Sequence, residues 1–238
     1  MTTIPNSRWI RIDTDAGSFD AYLSLPPGGK KPGNPGIVLI QEIFGVNEHI
    51  RSVADQYAAD GYVVLSPDVF WRTGPRVELG YSGKDWERAM ELRKAVNLED
   101  TVGDVAATVQ ALRAEIGEGG KVAAVGYCFG GLVSYLAAAR GLVDAAVPYY
   151  GGGIQNQLHE AAALNVPVQF HYGALDAHIK PDDVEQVRQA VAGKRGTEVL
   201  VYDQADHGFN CWARESYNQR AAALAHGRAL TFLVNALA

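Results

Sequence analysis

Short apolar segments alternate with longer amphipathic ones along most of the chain. GIVLIQ (36–41), YVVLS (62–66) and KVAAVGY (121–127) are apolar at nearly every position, which is typical of strands covered on both faces. Between the first two, apolar residues recur at helical spacing over 50–57, and Gly61 ends the predicted helix. Apolar strands alternating with amphipathic helices predict parallel β-α-β units with right-handed crossovers.

The same alternation continues to the C-terminus. Helical periodicity predicts helices over 85–96 and 102–112, with others between and after the later strands. One more helix and three more strands are predicted in GGLVSYLAAAR (130–140), DAAVPYY (144–150), PVQFHYG (167–173) and TEVLVY (197–202).

The N-terminal region has a different rhythm. RWIRID (8–13) and SFDAYLSL (18–25) alternate between apolar and polar residues around Ala16 and Gly17, which predicts a hairpin, and a Gly- and Pro-rich loop follows at 28–36. We therefore predict an α/β fold with a mostly parallel central sheet, an N-terminal antiparallel hairpin and helices on both faces. At 238 residues the chain is expected to form a single domain over 1–238.

Charge and composition exclude several classes of protein. The net charge is −6, and the Lys and Arg residues are scattered, so the basic surface that a nucleic-acid binder needs is not predicted. No apolar run approaches the roughly 20 residues that span a bilayer, and the polar start does not resemble a signal peptide. We expect a cytoplasmic protein without nucleic-acid or membrane partners, as a monomer or small homo-oligomer.

The segment GYCFGG (126–131) carries the strongest chemical signal. It lies between an apolar strand and a predicted helix, the context of the nucleophile elbow G-x-S-x-G, with Cys128 in place of serine. Glycines beside the central residue permit the sharp turn that lifts its side chain above the sheet, and the following helix N-terminus favours a thiolate. The alternative is a small buried cysteine that packs as an apolar residue.

Two later residues complete the constellation that a thiol nucleophile needs. Asp176 follows the strand PVQFHYG, and His207 follows the strand TEVLVY. Because the carboxyl ends of parallel strands meet at one edge of a sheet, we expect both side chains near Cys128. The chain order of nucleophile, acid and histidine is that of α/β-hydrolases.

Glu42 ends the strand GIVLIQ and is expected at the same edge. A carboxylate there could accept the proton of the thiol. Alternatively, Glu42 binds a backbone N–H or a nearby arginine such as Arg51.

Five motifs together resemble one family. QEIFGVN (41–47), GYCFGG (126–131), AVPYYGG (146–152), GALD (173–176) and DHGF (206–209) are similar to the dienelactone hydrolase (carboxymethylenebutenolidase) family, and the likeness runs from about residue 10 to the C-terminus. The resemblance implies a single-domain α/β-hydrolase that uses a Cys-His-Asp triad without a metal or cofactor.

The resemblance also implies a role for each site residue. Cys128 is the nucleophile, His207 the base, Asp176 its orienting partner, and Glu42 a carboxyl that helps to generate the thiolate. The backbone N–H groups that form the oxyanion hole are those of Ile43 and Phe129.

The sequence departs from the family where the substrate carboxylate binds. The family holds this group with arginines, one of them four residues after the catalytic histidine, where this chain has Cys211. The other position falls at Trp86 or Glu87. Four arginines are candidate replacements: Arg72, Arg76, Arg88 and Arg214.

The connection over 70–86 is rich in aromatic residues and is expected to line or cover the pocket. Packing in the core is the alternative for any single member. The candidate pocket residues are Phe44, Trp71, Tyr81, Trp86, Arg88, Tyr150, Phe209 and Cys211.

The combined prediction is a hydrolase that cleaves a small ester or lactone, such as a dienelactone-like enol lactone, through an acyl thioester. One alternative is a broad carboxylesterase or thioesterase without dienelactone activity. Another is a non-hydrolytic member that binds a ligand or senses oxidants through a Cys128–Cys211 couple. No short-spaced pair of metal ligands is present, and no metal or cofactor is expected. His178 is the other histidine with a candidate role in the pocket.

Overall fold

A computed structural model describes residues 6–31, 33–117 and 119–238. The chain divides into two compact units, Met1–Ala123 and Ala124–Ala238. The expectation of a single domain over 1–238 stays a prediction.

The first unit contains four strands in the order β1-β2-β4-β3. Strand β2 pairs antiparallel with both β1 and β4, whereas β3 and β4 are parallel. The hairpin predicted around Gly17 is therefore confirmed. The elements are β1 (Asn6–Thr14), β2 (Gly17–Leu25), β3 (Gly36–Ile40), α1 (Glu48–Ala59), β4 (Val63–Pro67), α2 (Gly83–Ala95) and α3 (Leu98–Ile116).

The second unit begins within a strand and continues the alternation of strands and helices. Its strands follow the order β5-β6-β7-β8, and β7 is parallel to both of its neighbours. The predicted α/β class is confirmed. The elements are β5 (Val122–Tyr127), α4 (Phe129–Ala139), β6 (Ala145–Tyr149), a 3₁₀ segment (Ile154–Ala163), β7 (Gln169–Gly173), α5 (Pro181–Ala190), β8 (Glu198–Tyr202) and α6 (Gln219–Ala236).

The apolar runs explain the burial of most strands. Every residue of β3, β4, β5, β6 and β7 is buried. The apolar runs predict this burial for the first four strands, whereas β7 also buries the polar residues Gln169 and His171. Strand β8 has an equally apolar sequence but is half exposed because it is the last strand in the order. Among the helices in the described ranges, none is both long and apolar enough to cross a membrane.

Two elements differ from the sequence-based expectation. Helix α2 begins at Gly83, two residues before the predicted start at Asp85. The element between β6 and β7 is a 3₁₀ segment rather than an α-helix, and it is interrupted at Gln157, whose φ of −122° and ψ of 19° are not helical. A break of this kind has no signature in apolar periodicity.

A buried carboxyl organises the loop after β4. The side chain of Asp68 accepts hydrogen bonds from the backbone N–H of Phe70 (3.0 Å) and of Arg76 (2.6 Å). Burial nevertheless raises the pKa of Asp68 to about 6, because it outweighs the effect of these two donors. Asp68 therefore retains its proton in the folded protein at a pH where the unfolded chain has lost it.

This linkage predicts the pH dependence of an Asp68→Asn variant. The raised pKa stabilises the native protein below pH 4, and this contribution is lost as the pH rises through 6, by about 3 kcal/mol for a shift of about two pH units. We expect the wild-type free energy of unfolding to fall more between pH 4 and 7 than that of the variant. Urea unfolding followed by circular dichroism measures the difference. Asp13→Asn, at an exposed strand position, is the control, and parallel curves for the wild type and Asp68→Asn would contradict the linkage.

Candidate active site

The turn between β5 and α4 holds Cys128 in a conformation that few residues adopt. Cys128 is the N-cap of α4, with a φ of 54° and a ψ of −113°, in the region of positive φ that is costly for a residue with a side chain. A Cβ on Gly126 would overlap the carbonyl oxygen of Gly130, and one on Gly131 would lie 2.7 Å from the carbonyl oxygen of Tyr149. The glycines are thus required by close backbone approach, as the elbow motif predicts.

Backbone hydrogen bonds fix Cys128 on both sides. Its N–H donates to the carbonyl of Tyr149 (3.0 Å), and its own carbonyl accepts from Gly131 (2.9 Å) and Leu132 (3.3 Å). The residue is half-buried, and its sulfur is not part of a disulfide. A strained residue that is held in this way keeps one orientation.

Asp176 lies in the turn after β7, and its carboxylate accepts three hydrogen bonds. One carboxylate oxygen accepts the N–H groups of His178 (2.8 Å) and Ile179 (3.0 Å), and the other accepts Nδ1–H of His207 (2.7 Å). Burial on its own raises the pKa of Asp176, but the hydrogen bond and charge of His207 and the two backbone donors hold that pKa below its ordinary value. Asp176 is therefore an anion at neutral pH.

His207 lies between Asp176 and Cys128. Because Nδ1 donates to Asp176, Nε2 is the ring atom left for the hydrogen bond with Cys128. Burial on its own lowers the pKa of His207, but the charge of Cys128, the hydrogen bonds with Asp176 and Cys128 and the charge of Asp176 raise that pKa to about 10. His207 is thus an imidazolium at neutral pH, with Cys128 on one side and the carboxylate of Asp176 on the other.

Aromatic rings surround the imidazole. The ring of Tyr150 lies 5.0 Å from that of His207, and Phe209 packs edge-on against Tyr150 at 5.4 Å. His178 contacts His207 edge-on at 5.2 Å. Two predicted pocket residues, Tyr150 and Phe209, thus lie close to the hydrogen-bonded residues Asp176 and His207. Cys211, two residues after Phe209, is fully buried.

The other candidate residues belong to the first unit. Glu42 and Ile43 follow β3 and are buried, with exposed fractions of 1% and 7%. Arg51, considered as an alternative partner of Glu42, forms an ion pair with Glu78 (2.7 Å). The catalytic role of Glu42 and the oxyanion-hole role of Ile43 stay predictions.

Three predicted aromatic residues of this unit form one cluster. Phe44 packs against Tyr81 and Trp86, with ring centroids 4.6 and 5.7 Å apart. Trp71 lies elsewhere, because its Nε1–H donates to Asp104 (2.9 Å). Their role in a pocket also stays a prediction.

The candidate replacement arginines of the first unit carry acidic partners. Arg72 pairs with Asp104, Arg76 with Asp20 at 3.6 Å, and Arg88 with Glu91 at 3.0 Å. The pair of Arg88 and Glu91 has the i,i+3 spacing of a helical ion pair, whereas the partners of Arg72 and Arg76 could not be read from sequence spacing.

The guanidinium of Arg214, in the second unit, packs against Gly208. Within residues 6–31, 33–117 and 119–238, no group of three or more histidine, cysteine, aspartate or glutamate side chains could hold a metal ion.

Sequence reasoning missed the part played by the Tyr149–Tyr150 corner. From the sequence, Tyr150 is predicted only as a candidate pocket residue, yet the carbonyl of Tyr149 accepts the N–H of Cys128, and the ring of Tyr150 contacts His207. The signal available in the sequence was the pair of tyrosines directly at the carboxyl end of a predicted strand.

Comparisons with known proteins agree with this fold. Among solved structures, a candidate dienelactone hydrolase from Klebsiella pneumoniae superimposes with a TM-score of 0.86 at 30% identity, covering 97% of this chain and 98% of that protein. The chain thus has the α/β-hydrolase fold of dienelactone hydrolases, as predicted. The model of the dienelactone hydrolase family matches residues 19–237.

Characterised relatives are similar over nearly their whole length. Carboxymethylenebutenolidase of Pseudomonas putida is 35% identical over 220 residues, which are 92% of each chain. That of Pseudomonas sp. strain P51 is 33% identical over 226 residues, covering 94% of this chain and 93% of the relative. The chain belongs to the dienelactone hydrolase family and is a hydrolase of this type.

The close approach in the elbow generates a prediction for Gly126→Ala. The added methyl must displace the Gly130 carbonyl inside the first turn of α4, so we expect a loss of at least about 3 kcal/mol in the free energy of unfolding. Urea unfolding measures this loss. Gly152→Ala is the matched control because a Cβ there meets nothing within 4 Å. Equal stability of the two variants would show that the elbow does not need a glycine at 126.

Proposed function

We propose that this protein hydrolyses a small ester or lactone by nucleophilic catalysis, with Cys128 as nucleophile, His207 as acid and base, and Asp176 as the orienting anion. The observation that carries the proposal is the hydrogen-bonded series Cys128–His207–Asp176, with its thiol at a strained strand–helix turn. Family membership supports the hydrolytic reaction.

The first half of the reaction acylates the thiol. The thiolate of Cys128 attacks the substrate carbonyl carbon, and negative charge moves to the carbonyl oxygen. The N–H of Phe129, at the N-terminus of α4, is the proposed donor to that oxygen, since the helix dipole favours an anion there. When the C–O bond breaks, the imidazolium of His207 gives its proton to the leaving oxygen. The products are a neutral imidazole and an acyl thioester on Cys128.

The second half hydrolyses the thioester. Neutral His207 takes a proton from water, and the resulting hydroxide attacks the acyl carbon. The thiolate leaves, which restores the pair it forms with the imidazolium, and the acid is released. Asp176 remains ionised throughout and stabilises the imidazolium. These steps use neither Glu42 nor Ile43.

The residues near the thiol favour an uncharged substrate. The position that carries an arginine in the family is Cys211, which is fully buried. Arg72, Arg76 and Arg88, the candidate replacements of the first unit, already have carboxylate partners. The names of the relatives indicate a carboxylated butenolide, but Cys211 cannot supply the bidentate contact that an arginine at its position would make with a carboxylate.

The nucleophile is tested by Cys128→Ala. We expect kcat/KM for an aryl ester to fall at least about a thousandfold, since no other group can form the acyl intermediate. Rapid-quench mass spectrometry of the wild type should show the acyl group on the peptide that contains Cys128. Cys211→Ala removes the other thiol and is expected to retain both turnover and the acyl adduct. Unchanged turnover in Cys128→Ala would reject the nucleophile.

Substrate preference is tested by comparing kcat/KM for a neutral aryl ester with that for a carboxylated dienelactone. We expect the neutral ester to have the higher value, because no arginine occupies the position of Cys211. Each rate is corrected with Cys128→Ala as the blank. A higher value for the lactone would show that another cation binds the carboxylate. Turnover of neither substrate above the blank would favour the oxidant-sensing or ligand-binding alternative.

A further inference from the structure

His171 is a buried histidine that the proposed mechanism does not use. It lies on β7 and is fully inaccessible to solvent. Its Nδ1 is 2.9 Å from the hydroxyl of Tyr202, and its Nε2 is 3.0 Å from Oε1 of Gln169. Both ring nitrogens therefore have partners, which is what a buried imidazole requires.

The two ends of this hydrogen-bonded series fix the position of the proton on the ring. At one end the guanidinium of Arg228 can only donate, so the oxygen of Tyr202 accepts from it and the hydroxyl donates to His171. At the other end Glu198 accepts from the amide nitrogen of Gln169 (2.9 Å), so the amide oxygen faces the imidazole. Both ends require a neutral ring with its proton on Nε2.

The charge state of His171 agrees with this arrangement. Burial, together with the positive charge of Arg228, lowers the pKa of His171 to about 3. The imidazole is neutral throughout the range in which the protein is expected to work. Its hydrogen bonds are therefore constant, and they orient the ring rather than carry protons.

The same residue supports the corner that holds the candidate active site. The imidazole of His171 stacks on Tyr149, with centroids 4.4 Å apart and planes 8° apart, and its carbonyl accepts the N–H of Tyr150 (2.7 Å). Tyr149 in turn accepts the N–H of Cys128 (3.0 Å), and the ring of Tyr150 contacts His207. His171 thus contacts both Tyr149, which binds the nucleophile, and Tyr150, which contacts the base.

Tyr150 depends on this support because its backbone is strained. Its φ is 36°, in the region of positive φ that a bulky residue adopts only when its surroundings impose it. The short hydrogen bond from its N–H to the carbonyl of His171 is one such constraint. A rotation of the stacked ring would shift Tyr149 and thereby the turn that ends in Cys128.

We propose that His171 is a positioning residue for hydrolysis. Tyr202 and Gln169 orient its ring, and His171 in turn fixes the separation of Cys128 and His207 through its contacts with Tyr149 and Tyr150. This proposal rests on the proposed function. In this role His171 affects the geometry of the reacting pair and not substrate binding. The proposal therefore predicts a change in kcat and none in KM.

The test is His171→Phe, which keeps a ring for stacking on Tyr149 and removes both side-chain hydrogen bonds. Relative to the wild type, we expect kcat for a neutral ester to fall about tenfold, with KM within about twofold. The rate of alkylation by iodoacetamide, measured without substrate on the peptide that contains Cys128, is expected to fall by a similar factor. All assays are run at a temperature where circular dichroism shows each variant to be folded.

Two further variants make the outcome decisive. His159→Phe introduces the same change at an exposed position of the 3₁₀ segment and is expected to keep wild-type rates. Tyr202→Phe removes only the hydroxyl that orients Nδ1 of His171, and we expect a smaller fall in kcat at constant KM. This variant replaces His171→Phe in the test if His171→Phe does not fold. Wild-type kcat and alkylation rate in a folded His171→Phe, or in Tyr202→Phe as its replacement, would overturn the proposal. Absence of ester turnover in the wild type would reject the proposed function alone, since alkylation still reports on the Cys128–His207 pair.

Discussion

The conformation of Cys128 is the constraint on which the site depends. A residue at a φ of 54° is stable only if its neighbours fix it, and the neighbours here are backbone groups of three elements. Strand β5 ends at the residue before it, N–H groups of α4 donate to its carbonyl, and the carbonyl of Tyr149, the last residue of β6, accepts its N–H. Since side chains at Gly126 and Gly131 would meet backbone atoms, the strain and the glycines form one feature.

Burial and charge act in opposite directions on the groups next to this turn. Burial alone lowers the pKa of His207 and raises that of Asp176, because low polarity penalises charge. The net shifts are the reverse for both groups, so the interactions between the imidazolium and its partners outweigh desolvation. Removal of either Asp176 or His207 would leave the other as a buried charge without its partner.

Much of the fold could be predicted because apolar runs and helical periodicity report burial directly. The strand at 122–127 and the helix from 129 were correct almost to the residue, and chain order brought Asp176 and His207 together as expected. The failures have local causes. An apolar run cannot show that β8 is the last strand, and Trp71 does not reveal from spacing that its partner is Asp104, 33 residues later. The placement of Glu42 and Ile43 in an active site remains a prediction.

The contacts of His171 illustrate a deeper limit of sequence reasoning. On β7, its neighbours are set by the pairing of Tyr149 with His171, and a slip of one residue would turn the imidazole to the other face of the sheet. The register therefore brings Tyr202 and Tyr149 to the ring, whereas Gln169 reaches it from two residues earlier on the same strand. In this chain the conformation of Cys128 is specified locally, by a turn that its neighbouring glycines permit. The contacts that His171 makes with Tyr149 and Tyr202 are specified by strand pairing, which couples residues from β6, β7 and β8.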